Sequence, residues 1–395
     1  MCDYSEAFKI KMASAMIEID CEKLNEMAIH IVDDEPEKEP KMNEMAIHIA
    51  DSESDTESHE VQVLPKKMRQ RRSWVAGCQL GVSPREYRRL KRMHAPRLLL
   101  FLMRALMLCH GCIPHDLSVA EMFSGIGHLV SFARASGLGA LGFEILEDKV
   151  HQDFCGTLGF LQALLMMLRL EVQALVHWDT CCSNWVWMSR SGTGRHSVNP
   201  MGDPSNQKVQ IANLMVSRMC CLQLVAFAKY AIMLLEQPGS SMMPQHRRMQ
   251  EPQFRNLFRI FVHMGAYNAK SAKPSILLSN ELLVTLPLKR PMTPAQKAQC
   301  DGSHLVKKTY KPDGTLVITG VKGANGLKSS QEYTPEYAAA VLKSYRNWKE
   351  RHAPEVTLLE SSESDYSEEA DDSWDDALLQ PCAALFADLD ATRSF

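Results

Sequence analysis

Apolar and polar positions follow two alternating periods in the middle of the chain, between about residues 113 and 350. Short apolar runs typical of strands alternate there with stretches whose apolar residues recur every three to four positions, as in a helix. This alternation is typical of a mostly parallel sheet with helices on both faces. The predicted strands are 119–123, 140–145, 174–178 and 231–235, and the predicted helices include 127–136 and 211–226.

The last part of this domain contains further elements with clear local signals. Lys311-Pro-Asp-Gly314 lies between two apolar runs, which is a strong hairpin signal. We therefore predict one α/β domain at 113–350, followed by an acidic tail. Its later elements are a helix at 256–264, a turn leading into the apolar run 275–279, hairpin strands at 305–310 and 315–319 within an insertion at 289–330, and a closing helix at 335–348.

A basic helical extension is predicted at residues 66–112. Residues 66–104 are rich in Lys and Arg and contain one acidic residue, Glu86, a composition that attracts phosphate backbones. Ser83 and Glu86 have the spacing of a capping box, so a helix is predicted at 84–94. We expect nucleic acid to bind through 66–104. A solvated helix face packed on the main domain is the equally open alternative.

Both ends of the chain are acidic. Residues 1–65 contain one segment twice, at 25–31 and again at 43–49, and residues 351–395 mix acidic residues with a few apolar ones. Neither region has enough apolar residues to form a core, so both are predicted to be disordered. We expect tails that remain solvated, with binding of a protein partner as the alternative.

The composition indicates the cellular compartment and says little about the function. The twelve cysteines do not form the framework of a small secreted protein, so reduced thiols and a nuclear or cytoplasmic location are expected. The sequence shows no export signal and no membrane-spanning run, so we expect neither secretion nor a membrane partner. Cys109 and Cys112 have the spacing of half a zinc site, but no second pair matches them, so no metal is predicted.

The first candidate site is the turn between the first predicted strand and the helix that follows it. Phe123-Ser-Gly-Ile-Gly127 contains two glycines, which allow the backbone to approach a ligand closely at a helix N-terminus. Glu144 ends the next strand, at the distance where an acid can bind ribose hydroxyls. The pattern fits a nucleotide-like ligand at the carboxyl edge of the sheet, and a purely structural turn is equally compatible.

The second candidate site follows the strand at 174–178. Cys182 lies just after this strand, where a thiol can act as a nucleophile. Ser183, Arg190 and Arg195 belong to the segment that follows, and we expect it to contact a substrate phosphate backbone. Glu236 ends the next predicted strand. A buried small side chain at Cys182 and a water-facing carboxylate at Glu236 are the structural alternatives.

Residues 121–127, Glu-Met-Phe-Ser-Gly-Ile-Gly, resemble the first motif of the cytosine-C5 DNA methyltransferases. The resemblance spans about residues 117–280 and implies a Rossmann-like class I methyltransferase fold that binds S-adenosylmethionine. It implies that the methionine and adenosine moieties contact Phe123, Ser124, Gly125 and Gly127. It also implies that Glu144 binds the ribose and that Asp153 lies near the adenine.

The same resemblance implies roles for the strand-end residues. Cys182 takes the place of the family's catalytic cysteine, which adds to C6 of a cytosine that has left the duplex stack. Glu236 takes the place of the glutamate that hydrogen-bonds the cytosine ring and stabilises its developing charge. Cys181 stands where the family has proline, and Gln237 where it has asparagine. The family's Gln-x-Arg-x-Arg motif is not found, and its late motif is echoed only at 329–335.

Three functions therefore remain open from the sequence. The first is methyl transfer to nucleic acid, at cytosine C5, with Cys182 as the nucleophile and Glu236 as its acid partner. The second is a catalytically inactive descendant that binds nucleic acid or protein, which the substitutions at Cys181 and Gln237 favour. The third is a methyltransferase for a small molecule or a protein, in which Cys182 has no catalytic role.

Overall fold

The computed structural model describes residues 82–110, 113–300, 306–321 and 333–362. The predicted N-terminal region 1–65, the first part of the basic extension, Cys112 and most of the acidic C-terminal tail lie outside these residues. The main helices are α1 (Pro84–Arg92), α2 (Arg97–His110), α3 (His128–Ala135), α4 (Thr157–Leu168), α5 (Gln207–Ala228) and α6 (Pro335–Ser362). The strands are β1 (Leu117–Met122), β2 (Ala140–Phe143), β3 (Leu170–Trp178), β4 (Ile232–Pro238), β5 (Phe258–His263), β6 (Pro274–Ser279), β7 (Val306–Tyr310) and β8 (Leu316–Val321).

Shorter helical segments connect these elements. The α-helical ones are Arg190–Thr193, Pro252–Arg255, Leu282–Thr285 and Pro294–Gln299. The 3₁₀ turns are Trp187–Ser189, Met243–Gln245, Arg247–Gln250, Met264–Tyr267 and Leu286–Leu288.

Six of the strands form one sheet in the order β2-β1-β3-β4-β6-β5, and β7 and β8 form a separate hairpin. Strands β1 to β4 are parallel, whereas β6 runs antiparallel to both of its neighbours. The chain moves from β1 to one side to form β2 and then to the other side to form β3. The carboxyl ends of β1 and β3 therefore flank a topological switch point, where open α/β sheets bind their ligands.

Helices cover both faces of this sheet, and the chain is a mixed α/β protein compatible with a Rossmann-like fold. Trp178 and Met233 point to the face covered by α4 and α5. Leu175 and Leu234 point to the opposite face, where α3 and α6 pack. β1 is buried along its whole length, as expected for a strand with helices on both sides. The prediction of a mostly parallel sheet covered by helices is confirmed.

Helix α5 is the central helix of the first face. Among the described helices it is the one long and apolar enough to cross a bilayer by length and composition. Its most apolar window is 78% buried inside the fold. The helix therefore packs as a core helix.

The predicted helix at 256–264 is wrong, because this segment forms edge strand β5. Ile260 and Val262 are buried while Phe261 between them is exposed, which is the two-residue period of a strand. The hairpin is confirmed as β7 and β8. The closing helix is also confirmed, but it continues to Ser362, beyond the domain end expected at residue 350.

The basic helix α1 forms as predicted, with the Ser83–Glu86 capping box present. Leu90 is buried against the domain, and the Arg89 guanidinium donates to the carbonyl oxygen of Ala228 at 2.9 Å. The helix is therefore docked on the end of α5. Its exposed basic residues include Arg88 and Arg92.

Candidate active site

The loop after β1 has an unusual backbone conformation. Phe123, Gly125 and Gly127 have φ angles of 62°, 54° and 72°, in the left-handed region that favours glycine. A Cβ added to either glycine would meet no atom within 4 Å. The glycines are thus required by the backbone conformation, and the space beside them is open. An open, glycine-lined loop at a strand end allows a ligand to approach the backbone closely.

Glu144 is bonded directly to this loop. Its Oε2 accepts a hydrogen bond of 2.9 Å from the Gly125 N–H, and its Oε1 accepts one of 3.1 Å from the Leu146 N–H. The loop is further held by the N–H groups of Phe123 and Ser124, which both donate to the carbonyl oxygen of Phe143. The structure thus brings Gly125 and Glu144 together, and the carboxylate supports the loop itself.

Aromatic side chains form the floor beneath the loop. The rings of Phe123 and Phe154 meet edge to face with centroids 5.0 Å apart, and Phe154 also packs against Trp178 at 6.2 Å. Asp153 precedes Phe154, and its Oδ1 accepts from the Cys155 N–H at 3.0 Å. Asp153 therefore shapes the turn into α4, close to the loop that carries Phe123.

A groove of about 310 Å³ begins at this loop. It shares Ser124 and Gly127 with the predicted cofactor site and continues along the outer side of β2, between α3 and α4. Its lining does not include Gly125, Glu144, Asp153, Cys182 or Glu236. This groove is therefore displaced from the strand ends toward the sheet edge.

Cys182 lies after β3 and is half-buried. Burial raises the pKa of its thiol to about 11, with a further increase from the charge of Glu236 and an opposing effect from Lys273. The thiol is therefore protonated at neutral pH in this conformation. Its neighbour Cys181 is exposed, with its Sγ 3.3 Å from the Ser183 Oγ.

Glu236 is buried at the end of β4, close enough to influence Cys182. Its Oε2 accepts a hydrogen bond of 2.9 Å from the Tyr333 hydroxyl, and the Lys273 Nζ lies 3.7 Å from its Oε1. Tyr333, just before α6, thus reaches the carboxyl end of β4. The charge of Glu236 thus acts on the Cys182 thiol at the carboxyl edge of the sheet.

The three residues predicted to contact substrate lie in different environments. Ser183 and Arg190 are exposed. Arg195 is 1% exposed, its guanidinium carbon lies 3.5 Å from the centre of the Trp185 ring, and it donates to the Pro200 carbonyl oxygen at 2.6 Å. The structure therefore assigns Arg195 to packing inside the protein and leaves Ser183 and Arg190 accessible.

A buried polar cluster that sequence reasoning did not single out lies beneath the strand ends. Glu121 on β1 is in register with His177 on β3. The His177 Nδ1 lies 3.0 Å from Asp179 Oδ1. The ring faces Tyr333 and Tyr337 at centroid distances of 5.5 and 5.9 Å. One signal was present, because Glu121, His177 and Glu236 interrupt otherwise apolar strands near their ends.

Burial and mutual charge control protonation in this cluster. Burial raises the pKa of Glu121 to about 7, and the charge of Asp179 adds to the increase. Burial also raises the pKa of Asp179, against the effect of His177. For His177, burial alone lowers the pKa, but the charges of Asp179, Glu121 and Glu236 outweigh it and raise the pKa. Full ionisation of these buried carboxyl groups is therefore energetically unfavourable unless a proton or a cation compensates their charge.

Comparison of the chain with protein-family models and with curated proteins finds no match.

Proposed function

We propose that this chain is an S-adenosylmethionine-dependent methyltransferase that acts on nucleic acid, at cytosine C5, through Cys182. The observation that supports this proposal best is the adjacency of two pairs at the carboxyl edge of one parallel sheet. Gly125 with Glu144 ends β1 and β2, and Cys182 with Glu236 ends β3 and β4. Both pairs lie beside the topological switch point, where such sheets bind ligands.

Each pair has a distinct task in this proposal. The open backbone at Gly125 and Gly127 and the carboxylate of Glu144 would hold the cofactor, which supplies the methyl group when bound. Cys182 would add to C6 of the flipped cytosine and leave again at the end of the reaction. Glu236, in its protonated form and supported by the Tyr333 hydroxyl at 2.9 Å, would donate a hydrogen bond to the ring and stabilise its developing charge.

The nucleophile must lose its proton for this chemistry. A thiol whose pKa is about 11 is almost entirely protonated at pH 7. The proposal therefore requires that a positively charged neighbour lowers this pKa in the working complex. Lys273 already acts in this direction, and the sulfonium charge of the cofactor would add to it.

Nucleic acid as the substrate is supported by helix α1. Arg88, Arg92 and Arg97 are exposed on α1 and at the start of α2. Exposed arginines grouped in this way can neutralise phosphates without reading the base sequence. Arg190, exposed close to the Cys182 loop, would contact the strand that carries the flipped base.

The test is transfer of a labelled methyl group to DNA and RNA, comparing wild type with Cys182→Ala and with the matched control Cys181→Ala. Incorporation is expected in wild type and in the Cys181 variant, and is expected to be lost in the Cys182 variant. Nucleic acid containing 5-fluorocytosine should trap the wild-type chain covalently, because the fluorine at C5 blocks release of the thiol. Equal incorporation by all three proteins would end the assignment of Cys182 as nucleophile.

A catalytically inactive methyltransferase fold that binds nucleic acid or protein is the second candidate. The raised pKa of Cys182 and the hydrogen bond that engages Glu144 with its own loop favour it. Calorimetric titration with S-adenosylmethionine distinguishes the two, because absence of binding at millimolar cofactor would leave only the inactive form. Binding without transfer to nucleic acid would point to a small-molecule or protein substrate.

A further inference from the structure

We propose that Glu121, His177 and Asp179 form a binding site for a divalent, oxygen-preferring metal ion such as Mn²⁺. The three side chains lie beneath the carboxyl ends of β1 and β3, and one ligand atom from each lies within 4.8 Å of the others. Two carboxylates and one imidazole suit ions of this class better than thiolate-preferring ones. The proposal is independent of the methyltransferase assignment.

One distance in the cluster suits octahedral coordination. Adjacent ligands of an octahedral ion with bonds of about 2.1 Å lie about 3.0 Å apart, and opposite ligands about 4.2 Å. His177 Nδ1 and Asp179 Oδ1 are 3.0 Å apart, the separation of two adjacent ligands. A ligand atom of Glu121 lies within 4.8 Å of both.

The polar atoms of the cluster point to a missing cation. The side chain of Asp179 is 8% exposed. Among the residues that the structure describes, none forms a hydrogen bond of good geometry with either of its oxygens or with His177 Nδ1, although Asp179 Oδ1 and His177 Nδ1 lie 3.0 Å apart. The Tyr333 hydroxyl donates to Glu236 Oε2, 2.9 Å away, and is also near enough to Asp179 to lower the pKa of that carboxyl. A buried carboxylate without well-formed hydrogen bonds destabilises the folded state unless a proton or a metal ion compensates its charge.

Both ring nitrogens of His177 have polar neighbours. Its Nε2 lies 3.4 Å from the Tyr337 hydroxyl oxygen, and its Nδ1 lies 3.0 Å from Asp179 Oδ1. If the ring carries its hydrogen on Nε2, the Nδ1 lone pair faces the Asp179 carboxylate, and either a proton or a metal cation must lie beside both atoms. A second-shell partner on the other ring nitrogen is also how metal-binding histidines are generally oriented.

The contacts of Glu121 and Lys273 are also consistent with a metal site. The Oε2 of Glu121 accepts a hydrogen bond of 3.1 Å from the Val130 N–H in the first turn of α3, which fixes the carboxylate toward the cluster. Lys273 lies 3.7 Å from Glu236 and so balances that carboxylate. Two buried carboxylates then remain with His177 alone, a negative excess that a dication would neutralise.

The test uses the full chain, stripped of metal with a chelator and titrated with Mn²⁺ while the electron paramagnetic resonance signal of the free ion is followed. One Mn²⁺ per chain is expected. Asp179→Asn keeps the side-chain shape and should weaken binding at least tenfold. The matched control is Asp148→Asn, which makes the same change at the half-buried Asp148–His151 pair, 2.8 Å apart, and should keep wild-type affinity.

Several results would overturn the proposal. They are absence of Mn²⁺ binding by wild type at millimolar concentration, unchanged binding by a folded Asp179→Asn variant, or equal loss in the Asp148→Asn control. Absence of Mn²⁺ binding by wild type would indicate that shared protons, and not a metal ion, stabilise the cluster. If circular dichroism shows that Asp179→Asn is unfolded, the test is pulsed electron paramagnetic resonance of the Mn²⁺-loaded wild-type protein. Coupling to an imidazole nitrogen supports the site, and its absence refutes it.

Discussion

The Gln237 side chain joins the end of β4 to the loop that carries Cys182, because its Nε2 donates a hydrogen bond of 2.7 Å to the carbonyl oxygen of Thr180. Its Oε1 accepts a second hydrogen bond of 3.0 Å from the Ser241 hydroxyl. The cytosine-C5 motif that the sequence resembles has proline at the position of Cys181. Gln237, fully buried, therefore restrains the loop from the neighbouring strand.

Replacing Gln237 should loosen this loop. Gln237→Leu leaves the Thr180 carbonyl and the Ser241 hydroxyl without their buried partner, so we expect a loss of about 1–3 kcal/mol in the free energy of unfolding. We also expect faster alkylation of Cys182, because the loop opens more often. Urea unfolding and mass spectrometry of alkylated peptides measure the two effects.

The control for that substitution is Gln210→Leu. The Gln210 Nε2 donates a single bond of 2.7 Å to the Pro204 carbonyl oxygen at the protein surface, where water can replace it. We expect little change in stability and none in Cys182 alkylation. Equal effects of the two substitutions would show that Gln237 does not hold the loop.

The protonation of Cys182 gives a second prediction. Only the thiolate is alkylated, and the pKa of this thiol is about 11 because of burial. The alkylation rate of Cys182 should therefore be low at pH 7 and rise about tenfold per pH unit until the pH approaches that value. Cys182→Ser identifies the modified peptide. A rate that reached its plateau below pH 9 would contradict this assignment.

The loop glycines give a third prediction. Gly125→Ala places a side chain at a φ of 54°, although nothing within 4 Å opposes the new Cβ, so the cost should be the backbone strain alone, about 1–2 kcal/mol. Gly192→Ala is the matched control, because Gly192 also has open space but lies in the short helix Arg190–Thr193 without a positive φ. Thermal unfolding should show destabilisation for the first and not for the second.

Much of the fold was predictable from local pattern. The parallel strands β1 to β4 are short apolar runs that end in polar or glycine-containing turns, and these signals are local. The apolar residues of 256–264 fit the period of a helix as well as that of a strand. Pairing with β6 decides that they form a strand, and this pairing depends on residues outside the segment.

The candidate site was predictable only in part. Gly125 and Glu144 could be paired from sequence, since consecutive strand ends lie at the same edge of a parallel sheet. The burial of Arg195 could not be predicted, because it depends on contacts with the Trp185 ring and with the Pro200 carbonyl oxygen. The pairing of Glu121 with His177 could not be predicted either, because it depends on the register between β1 and β3.

His246 gives a prediction about stability and pH. Its ring is fully buried and meets the Trp185 ring edge to face at 5.7 Å. Burial, with the charges of Arg247, Arg195 and Arg248, lowers the pKa of His246 to about 3. In the unfolded chain its pKa is about 6.5. The unfolded state therefore binds a proton at a higher pH than the folded state does, so stability is lost as the pH falls.

The loss should begin as the pH falls below about 6.5 and continue toward 3, amounting to about 2 kcal/mol by pH 5. Urea unfolding of wild type and His246→Gln at several pH values measures it, since the difference between the two isolates this residue. The gap should be largest near neutral pH and narrow in acid. His196→Gln, at an exposed position, should give a profile parallel to wild type. A gap between wild type and His246→Gln that stayed constant from pH 7 to pH 5 would mean that His246 accepts a proton in the folded chain without opening the packing around Trp185.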